Sequence, residues 1–352
     1  MQYKFDNIDM YLQGRSYNKN SSIEVLQYAV GALLYMPASN TKIAQKIISK
    51  EYSFIHSMVL DLEDSLGNDM VSFGQKNIAT LMKEIDDAIL NGIITIDDVP
   101  LIFIRVREKG QIKKAYEILG KNIVYITGFN IPKFDKTCCD AYIKEFVQVE
   151  KEVYSKYGTN LYIMPIIENK LAMYRQLRMD NLLYINNALR PISTHVLNIR
   201  VGGADFCSIF GIRRSADECI HDIGVVRSVF ADIVNVFGKN YIVSGPVWEY
   251  FGSEGDNGRW LSGLRHELKY DNLNGFLGKT AIHPTQVAPI CESLIVSKQD
   301  YLDAIDINGM NDNIIGVKKS TGEDSRMNEV KTHRNWARKV ISLANIYGVR
   351  ND

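Results

Sequence analysis

Short apolar runs alternate with longer amphipathic stretches through most of the chain. Each run is rich in β-branched and aromatic residues, and the stretch after it has apolar positions at helical spacing. The runs occupy residues 32–36, 57–60, 101–106, 123–127, 161–167, 196–201, 241–244 and 275–282. This pattern predicts eight successive strand–helix units.

The runs are apolar almost throughout, which is typical of parallel strands that helices cover. A count of eight favours closure into a (β/α)₈ TIM barrel, and an open doubly wound sheet is the main alternative. No Gly-x-Gly-x-x-Gly follows the first run, and the chain contains no Walker A sequence. We therefore predict an α/β fold with a (β/α)₈ barrel over residues 31–296, after an N-terminal extension over residues 1–30.

The regular alternation stops after Val296. Residues 303–326 are rich in Asp, Asn, Gly and Ser, which predicts a mobile loop or lid, and residues 331–347 have helical spacing. We therefore predict a C-terminal lid and helix over residues 297–352. The apolar stripe of that helix fits a subunit contact or a place in the core equally well.

Composition excludes several classes of function. The chain has 352 residues, and its 41 Lys and Arg balance 41 Asp and Glu, so it has no general attraction to nucleic acid or to an anionic membrane. No apolar run approaches ~20 residues, and the first residues do not resemble a signal peptide. Five cysteines without a Cys-x-x-Cys argue against a disulfide framework and a structural zinc site, which predicts a reducing, cytoplasmic location.

Two acidic residues follow predicted strands. Glu168 comes directly after the fifth run, and Asp205 comes after the sixth, behind Gly202 and Gly203. In a barrel the carboxyl ends of the strands share one face, where catalysis takes place. Two carboxylates there suit Mg²⁺, which leaves its other positions to water and substrate. The alternative is that Asp205 caps a helix and Glu168 is solvated.

A cation interrupts the third run. Arg105 stands in an otherwise apolar strand, where an unpaired guanidinium is costly to bury. Its planar fork suits a bidentate carboxylate, so a substrate carboxylate and an internal ion pair with Asp61 or Glu63 are both consistent. Strand alternation places Asp61 and Glu63 on one side and Asp64 on the other.

The remaining candidates are weaker. We expect Lys133 and Lys279 to be solvated, since neither lies inside an apolar strand. This weakens a Schiff-base aldolase mechanism, which needs a buried lysine. His283 precedes a proline-capped helix, where a structural role is the more frequent one.

Six segments together resemble the HpcH/HpaI aldolase and citrate lyase beta-subunit family. They are LLYMP at 33–37, LDLEDS at 60–65, IRV at 104–106, PIIEN at 165–169, GGADF at 202–206 and GKTAIHPTQ at 278–286. With FGIRR at 210–214 and GPVWE at 245–249, the chain is most similar to the C–C bond lyase-like branch associated with tellurium-resistance and stress gene clusters.

The resemblance implies an enzyme that breaks or forms a C–C bond next to a carbonyl with a divalent metal, Mg²⁺ or alternatively Mn²⁺. It implies metal ligation by Glu168 and Asp205, and binding of the carboxylate of a 2-oxo acid by Arg105. Gly203 and Ala204 would border the substrate. The remaining implied catalytic residues, which would orient water on the metal or assist proton transfer, are Asp61, Glu63 and Asp64.

The resemblance also bears on partners. Its members are typically homo-oligomers, and in relatives that use CoA thioesters an acid from a neighbouring subunit contributes, for which Glu329 is the nearest match. The usual basic residue before the first strand is replaced by residues 27–31 (QYAVG), and residues 244–248 (SGPVW) replace an Asp-containing strand end. These departures argue against a CoA thioester and favour a small carboxylate substrate.

We therefore expect a Mg²⁺-dependent lyase or aldolase that acts on a 2-oxo- or 3-hydroxy-acid. Two alternatives stay open. One is the condensing direction in a biosynthetic pathway, and the other is a non-catalytic barrel that serves as a binding or scaffold module in a stress-response complex.

Overall fold

The computed structural model describes residues 1–253, 258–310, 316–320 and 326–351. In these residues, strands β1 to β13 span Met10–Leu12, Ala32–Pro37, Ser57–Asp61, Leu101–Arg105, Ile126–Ile131, Tyr162–Ile167, Asn198–Val201, Ile242–Gly245, Phe276–Ala281, Val296–Ser297, Val317–Lys319, Met327–Glu329 and Val349–Arg350. Helices α1 to α13 span Ile23–Ala29, Ile43–Ile48, Val71–Leu90, Gln111–Leu119, Cys139–Tyr157, Lys170–Met173, Arg175–Leu189, Gly203–Ile209, Gly224–Phe237, Arg259–Leu273, Val287–Glu292, Lys298–Gly309 and Val330–Tyr347.

Strands β2 to β9 form a closed barrel in chain order, and every neighbouring pair is parallel. These eight strands correspond to the eight predicted runs, so the (β/α)₈ prediction is confirmed. The largest boundary error concerns the run at 123–127. There β5 begins only at Ile126, because residues 120–125 form a 3₁₀ helix.

Burial explains why these segments become strands and helices. Every residue of β4 is buried, because its inner face meets the barrel interior and its outer face meets the helical layer. In α3, Ile78, Leu81, Met82 and Ile85 recur at helical spacing and are all buried. The apolar runs of the sequence thus form the barrel wall, and the amphipathic stretches between them form the helices that cover it.

The chain forms two compact units, residues 18–290 and residues 1–17 with 291–352. The first contains the barrel. The second contains a small sheet in the order β1–β13–β10, the antiparallel pair β11–β12, and helices α12 and α13. Its core comprises Val296, Ala304, Ile307, Ala337, Val340, Ala344 and Val349. The predicted division at residues 30 and 296 stays a prediction.

The loop predicted over residues 303–326 is wrong for residues 303–309, which belong to α12. Ser297 caps this helix, and Ala304 and Ile307 bury its inner face. Asp303 is fully buried and accepts hydrogen bonds from Ser320 Oγ and Asn328 Nδ2, both at 2.8 Å. The polar composition of these residues therefore predicted a loop where the chain forms a packed helix. Residues 311–315 and 321–325 of the predicted loop lie outside the described residues.

Two further observations concern the chain as a whole. All five cysteines are free thiols, and four of them are buried. Within the described ranges, no helix has both the length and the apolarity that crossing a membrane requires.

Candidate metal and carboxylate site at the barrel rim

Glu168 and Asp205 converge beside Gly202. Glu168 follows β6 directly and is 5% exposed, while Asp205 lies in the first turn of α8. A Cβ at Gly202 would lie 2.6 Å from Glu168 Oε2 and 3.1 Å from Asp205 Oδ2. The two carboxylate oxygens therefore face the same small volume, and only a glycine leaves that volume open.

Burial and neighbouring negative charge raise the pKa of both carboxylates. Burial, and then the charge of Asp205, raises the pKa of Glu168 to about 8. Burial, and then the charge of Asp64, raises the pKa of Asp205. Such shifts arise where negative charges share a desolvated place and the nearby cations, here Arg105 and Lys133, only partly compensate them. A divalent cation would supply that compensation.

Arg105 and Asp61 form a buried bidentate ion pair. Arg105 Nε donates to Asp61 Oδ1 at 2.6 Å, and Nη2 donates to Oδ2 at 2.8 Å. Asp61 also accepts the backbone N–H groups of Glu63 and Ser65, each at 3.0 Å. Burial alone would lower the pKa of Arg105, but Asp61 raises it above its ordinary value. The internal ion pair, one of the two alternatives for Arg105, is present.

Glu63 and Asp64 also gather at Arg105. Arg105 Nη1 lies 3.0 Å from Glu63 Oε2 and 3.1 Å from Asp64 Oδ2, and the Lys133 ammonium pairs with Glu63 Oε1. The prediction that Asp64 faces away from Asp61 and Glu63 is wrong. Strand β3 ends at Asp61, so strand alternation does not govern the residues beyond it.

Lys133 holds the site through its backbone as well. Its N–H donates to Glu168 Oε1 at 2.7 Å, which leaves Oε2 to face Asp205. The residue adopts a left-handed φ of 50°, uncommon for a side chain with a Cβ. Burial would lower the pKa of Lys133, but the carboxylate of Glu63 raises it by more. The side chain therefore stays charged. Its side chain is exposed, as the sequence suggested, and it also pairs with Glu63.

Gly203 and Ala204 open α8 next to the convergence point. A Cβ at Gly203 would meet Ile220 Cδ1 at 2.6 Å and Pro246 Cβ at 2.7 Å, so this glycine allows close packing of the chain behind it. Ala204 is partly exposed. Contact of either residue with a substrate stays a prediction.

Glu329 lies in the unit formed by residues 1–17 and 291–352. It ends β12 and precedes α13, and its backbone N–H donates to His333 Nδ1 at 3.1 Å. Its proposed contribution to a neighbouring subunit stays a prediction.

Lys279 is fully buried, contrary to the expectation that it is solvated. Its ammonium lies 2.9 Å from Glu267 Oε1 and 2.6 Å from Asp271 Oδ2, both on α10. Burial would lower the pKa of Lys279, but these two carboxylates raise it. A Schiff-base nucleophile must be an unprotonated amine, whereas these two carboxylates keep Lys279 protonated. This argues further against an imine mechanism.

Gln286 joins the family-like motif at 278–286 to the loop after β8. Its Nε2 donates to the carbonyl groups of Trp248 and Tyr250 at 2.9 and 2.8 Å, and its Oε1 accepts from the backbone N–H of Ile282 at 2.8 Å. The motif therefore orders a loop at the barrel rim.

Sequence reasoning missed three interior residues. Tyr35 lies with its ring 5.1 Å from the Arg105 guanidinium, and Asn130 Nδ2 donates to the Tyr35 hydroxyl at 2.7 Å. Arg200 is buried inside β7. The signal that identified Arg105, a cation in an apolar strand, also marks Arg200.

The donor set fits a hard divalent cation. Five carboxylates (Asp61, Glu63, Asp64, Glu168 and Asp205) meet two cations (Arg105 and Lys133), which leaves an excess of negative charge. No group of three or more His, Cys, Asp or Glu with metal-binding geometry occurs in the part of the chain that the structure describes. Two carboxylates with open positions match Mg²⁺ better than Zn²⁺, which prefers a closed set of nitrogen and sulfur ligands.

One solved structure with a TM-score above 0.5 supports the same fold, and others match at lower TM-scores. The protein CitE from Mycobacterium tuberculosis, in complex with magnesium, acetoacetate and coenzyme A, matches with a TM-score of 0.56 at 14% identity, over 90% of this chain and 99% of that chain. RipC from Yersinia pestis matches with a TM-score of 0.48 at 15% identity, over 76% and 95%. The citrate lyase beta subunit from M. tuberculosis, complexed with oxaloacetate and magnesium, matches with a TM-score of 0.47 at 15% identity, over 76% and 98%. No curated protein sequence gives a significant match.

A family described as C–C bond lyase of the TIM-barrel fold matches residues 24–349. The match spans the barrel and most of the C-terminal segment, and it confirms the family-level resemblance; association with tellurium-resistance clusters stays a prediction. The chain belongs to the family of C–C bond lyases with the TIM-barrel fold.

Proposed function

We propose that this chain is a Mg²⁺-dependent lyase or aldolase that acts on a small 2-oxo- or 3-hydroxy-acid. The observation that carries the proposal is the convergence of Glu168 Oε2 and Asp205 Oδ2 on the open volume at Gly202. A fold relative in complex with magnesium, acetoacetate and coenzyme A supports a divalent metal and a small oxo-acid ligand.

Glu168 and Asp205 would hold the metal in this proposal. When bound, a divalent ion stabilises the negative oxygen that develops as a C–C bond next to a carbonyl breaks or forms. Lys133 keeps Glu168 oriented, since its N–H occupies Oε1 and leaves Oε2 for the cation. We call Glu168 and Asp205 together the metal clamp. The backbone of the neighbouring loop thus orients this clamp before a metal binds.

Arg105 would bind the substrate carboxylate through guanidinium N–H groups that are not hydrogen-bonded to the described residues of the protein. A guanidinium has five N–H donors. Hydrogen bonds to Asp61 and Asp64 use three of them, and Glu63 Oε2 lies 3.0 Å from Nη1 as a further ion-pair partner. Asp61 therefore fixes the plane of the guanidinium, and the exposed Asp64 side chain is the partner that a substrate carboxylate would displace.

Glu63 and Lys133 are the candidate proton-transfer pair. Burial raises the pKa of Glu63, against the opposing effect of Arg105 and Lys133, so Glu63 holds a proton more readily than an ordinary carboxylate does. Their ion pair keeps both groups beside Arg105.

Product analysis tests this function. The protein is incubated with Mg²⁺ and a panel of 3-hydroxy- and 2-oxo-acids, without and with CoA, and products are identified by mass spectrometry. We expect cleavage of a CoA-free acid that stops with a chelator and with Asp205→Asn. Turnover of an identified substrate that Asp205→Asn leaves unchanged would contradict the proposal.

A further inference from the structure

Arg200 is a buried cation that crosses the barrel interior. It lies on β7 and is 1% exposed. Its Nη2 donates to Thr280 Oγ1 on β9 at 2.6 Å, and its Nη1 lies 3.5 Å from Asn198 Oδ1. Because β8 lies between β7 and β9 in the barrel wall, this hydrogen bond places the side chain inside the barrel.

Arg200 differs from the other buried arginines in its charge balance. Among the described residues it makes no ion pair, and its Nε has no hydrogen-bond partner. A buried guanidinium that stays charged without an anion is costly. Each other buried arginine has a carboxylate partner: Arg105 pairs with Asp61, Arg178 with Asp232, and Arg214 with Glu267.

One hydroxyl group beside Arg200 also lacks a partner. Ser244, which is level with Arg200 on the adjacent β8, has no partner for its Oγ within the described residues. The phenol of Tyr35 lies beside the Arg200 guanidinium. Donors of this kind, gathered around one positive charge, match a bound anion.

The cluster borders solvent at two side chains and is connected to the rim site. Tyr35 and Thr280 are partly exposed even though Arg200 is buried. Tyr35 also contacts Arg105, with the guanidinium 5.1 Å from its ring centroid. One aromatic side chain therefore separates the two arginines.

The spacing sets the size of the ligand. Arg200 is level with Ile166 on β6, and Glu168 lies two residues further along the chain. At the rise per residue of a β-strand, two residues separate the level of Glu168 from the level of Arg200 by about 7 Å along the strand direction. A small diacid with one end at the rim and its other carboxylate at Arg200 fits this separation.

We propose that Arg200, with Ser244, Thr280 and Tyr35, binds a second carboxylate of the substrate, so that the molecule processed by the barrel is a dicarboxylic oxo- or hydroxy-acid. This inference rests on the proposed function for the position of the first carboxylate. A single guanidinium ringed by hydroxyl groups suits a planar carboxylate, which accepts two parallel N–H donors.

The test compares two acids of equal length that differ in one carboxylate. Calorimetric titrations with 2-oxoglutarate and 2-oxopentanoate are made in Mg²⁺. We expect at least tenfold tighter binding of the diacid, and Arg200→Met should abolish this preference while it changes the affinity for 2-oxopentanoate less than twofold. Ser244→Ala, which removes one hydroxyl with little change in volume, should reduce the preference about threefold. The surface control is Arg227→Met on α9, which should leave both affinities unchanged.

Equal affinity of the two acids, no binding of either, or a preference that persists in Arg200→Met would overturn the inference. Should Arg200→Met fail to fold, a preference that Ser244→Ala leaves at its full value would overturn it. A diacid preference that Arg200→Met abolishes but that survives both a chelator and Glu168→Gln would uphold the Arg200 site and contradict the Mg²⁺-dependent function.

Discussion

Glu168 shows how much of this site depends on the surroundings of single residues. Its sequence position marks it as an acid after a strand, but its behaviour comes from burial, from Asp205, and from the Lys133 N–H on Oε1. The same holds for Arg105. An internal ion pair could be predicted because an unpaired guanidinium in an apolar strand is costly, whereas the approach of Asp64 depends on the loop beyond β3.

The raised pKa of Glu168 predicts that Mg²⁺ binding depends on pH. Below about pH 8 the metal-free carboxyl is protonated, so Mg²⁺ must displace a proton, and its affinity should fall by up to about tenfold per pH unit. Calorimetry at pH 7 in buffers of different ionisation enthalpy should detect release of close to one proton, and Glu168→Gln should abolish it. Binding at pH 7 without proton release would count against this role of Glu168.

At the scale of elements, the site depends on the turn that joins β7 to α8. Gly202 has φ −91° and ψ 77°, which other residues adopt, so its importance lies in the space beside it. An added Cβ would lie 2.3 Å from Glu168 Cβ. The sequence GGAD indicates a close approach, but only the fold shows that the approaching group is Glu168, the other proposed metal ligand.

Gly202→Ala should therefore damage the clamp. We expect a loss of about 1–3 kcal/mol in the free energy of unfolding from overpacking, and Mg²⁺ affinity at least tenfold lower. Chemical denaturation and calorimetry measure these. Gly224→Ala at the start of α9 is the matched control, since nothing lies within 4 Å of its Cβ, and it should be neutral. Equal effects of the two substitutions would rule out this explanation.

The packing of α10 on β9 depends on buried charges. Lys279→Met would leave Glu267 and Asp271 without the cation they share, and should cost about 3–5 kcal/mol of unfolding free energy. Lys269→Met, on the exposed side of α10, should change the free energy of unfolding by less than about 0.5 kcal/mol.

Borohydride treatment of the wild type with pyruvate should give no adduct by mass spectrometry, because the Lys279 ammonium is held by two carboxylates. An adduct at Lys279 would restore the imine mechanism.

At the scale of the whole molecule, the barrel and the C-terminal helix α13 could be predicted, whereas α12 and the small sheet β1–β13–β10 could not. Eight apolar runs have the same physical cause, burial on both faces, so their count and order specify the closed sheet. Helix α12 carries Asp303 and Asp306 and has a composition typical of a loop, and its apolar face is recognisable only once Ala337 and Val340 of α13 pack against it. The burial of Lys279 could not be predicted for a similar reason: its partners lie on the preceding helix α10, and only the fold shows that their face of the helix packs against β9.

The central claim is that Glu168 and Asp205 form a metal clamp that promotes enolate chemistry. Exchange of the pyruvate methyl hydrogens for deuterium, followed by proton NMR in D₂O, reports enolisation without knowledge of the true substrate. We expect exchange with the wild type and Mg²⁺ that falls at least about a hundredfold with a chelator or with Asp205→Asn, while Gly224→Ala retains it. Exchange that is equally fast in Asp205→Asn, or absent from the Mg²⁺-loaded wild type, would contradict the account.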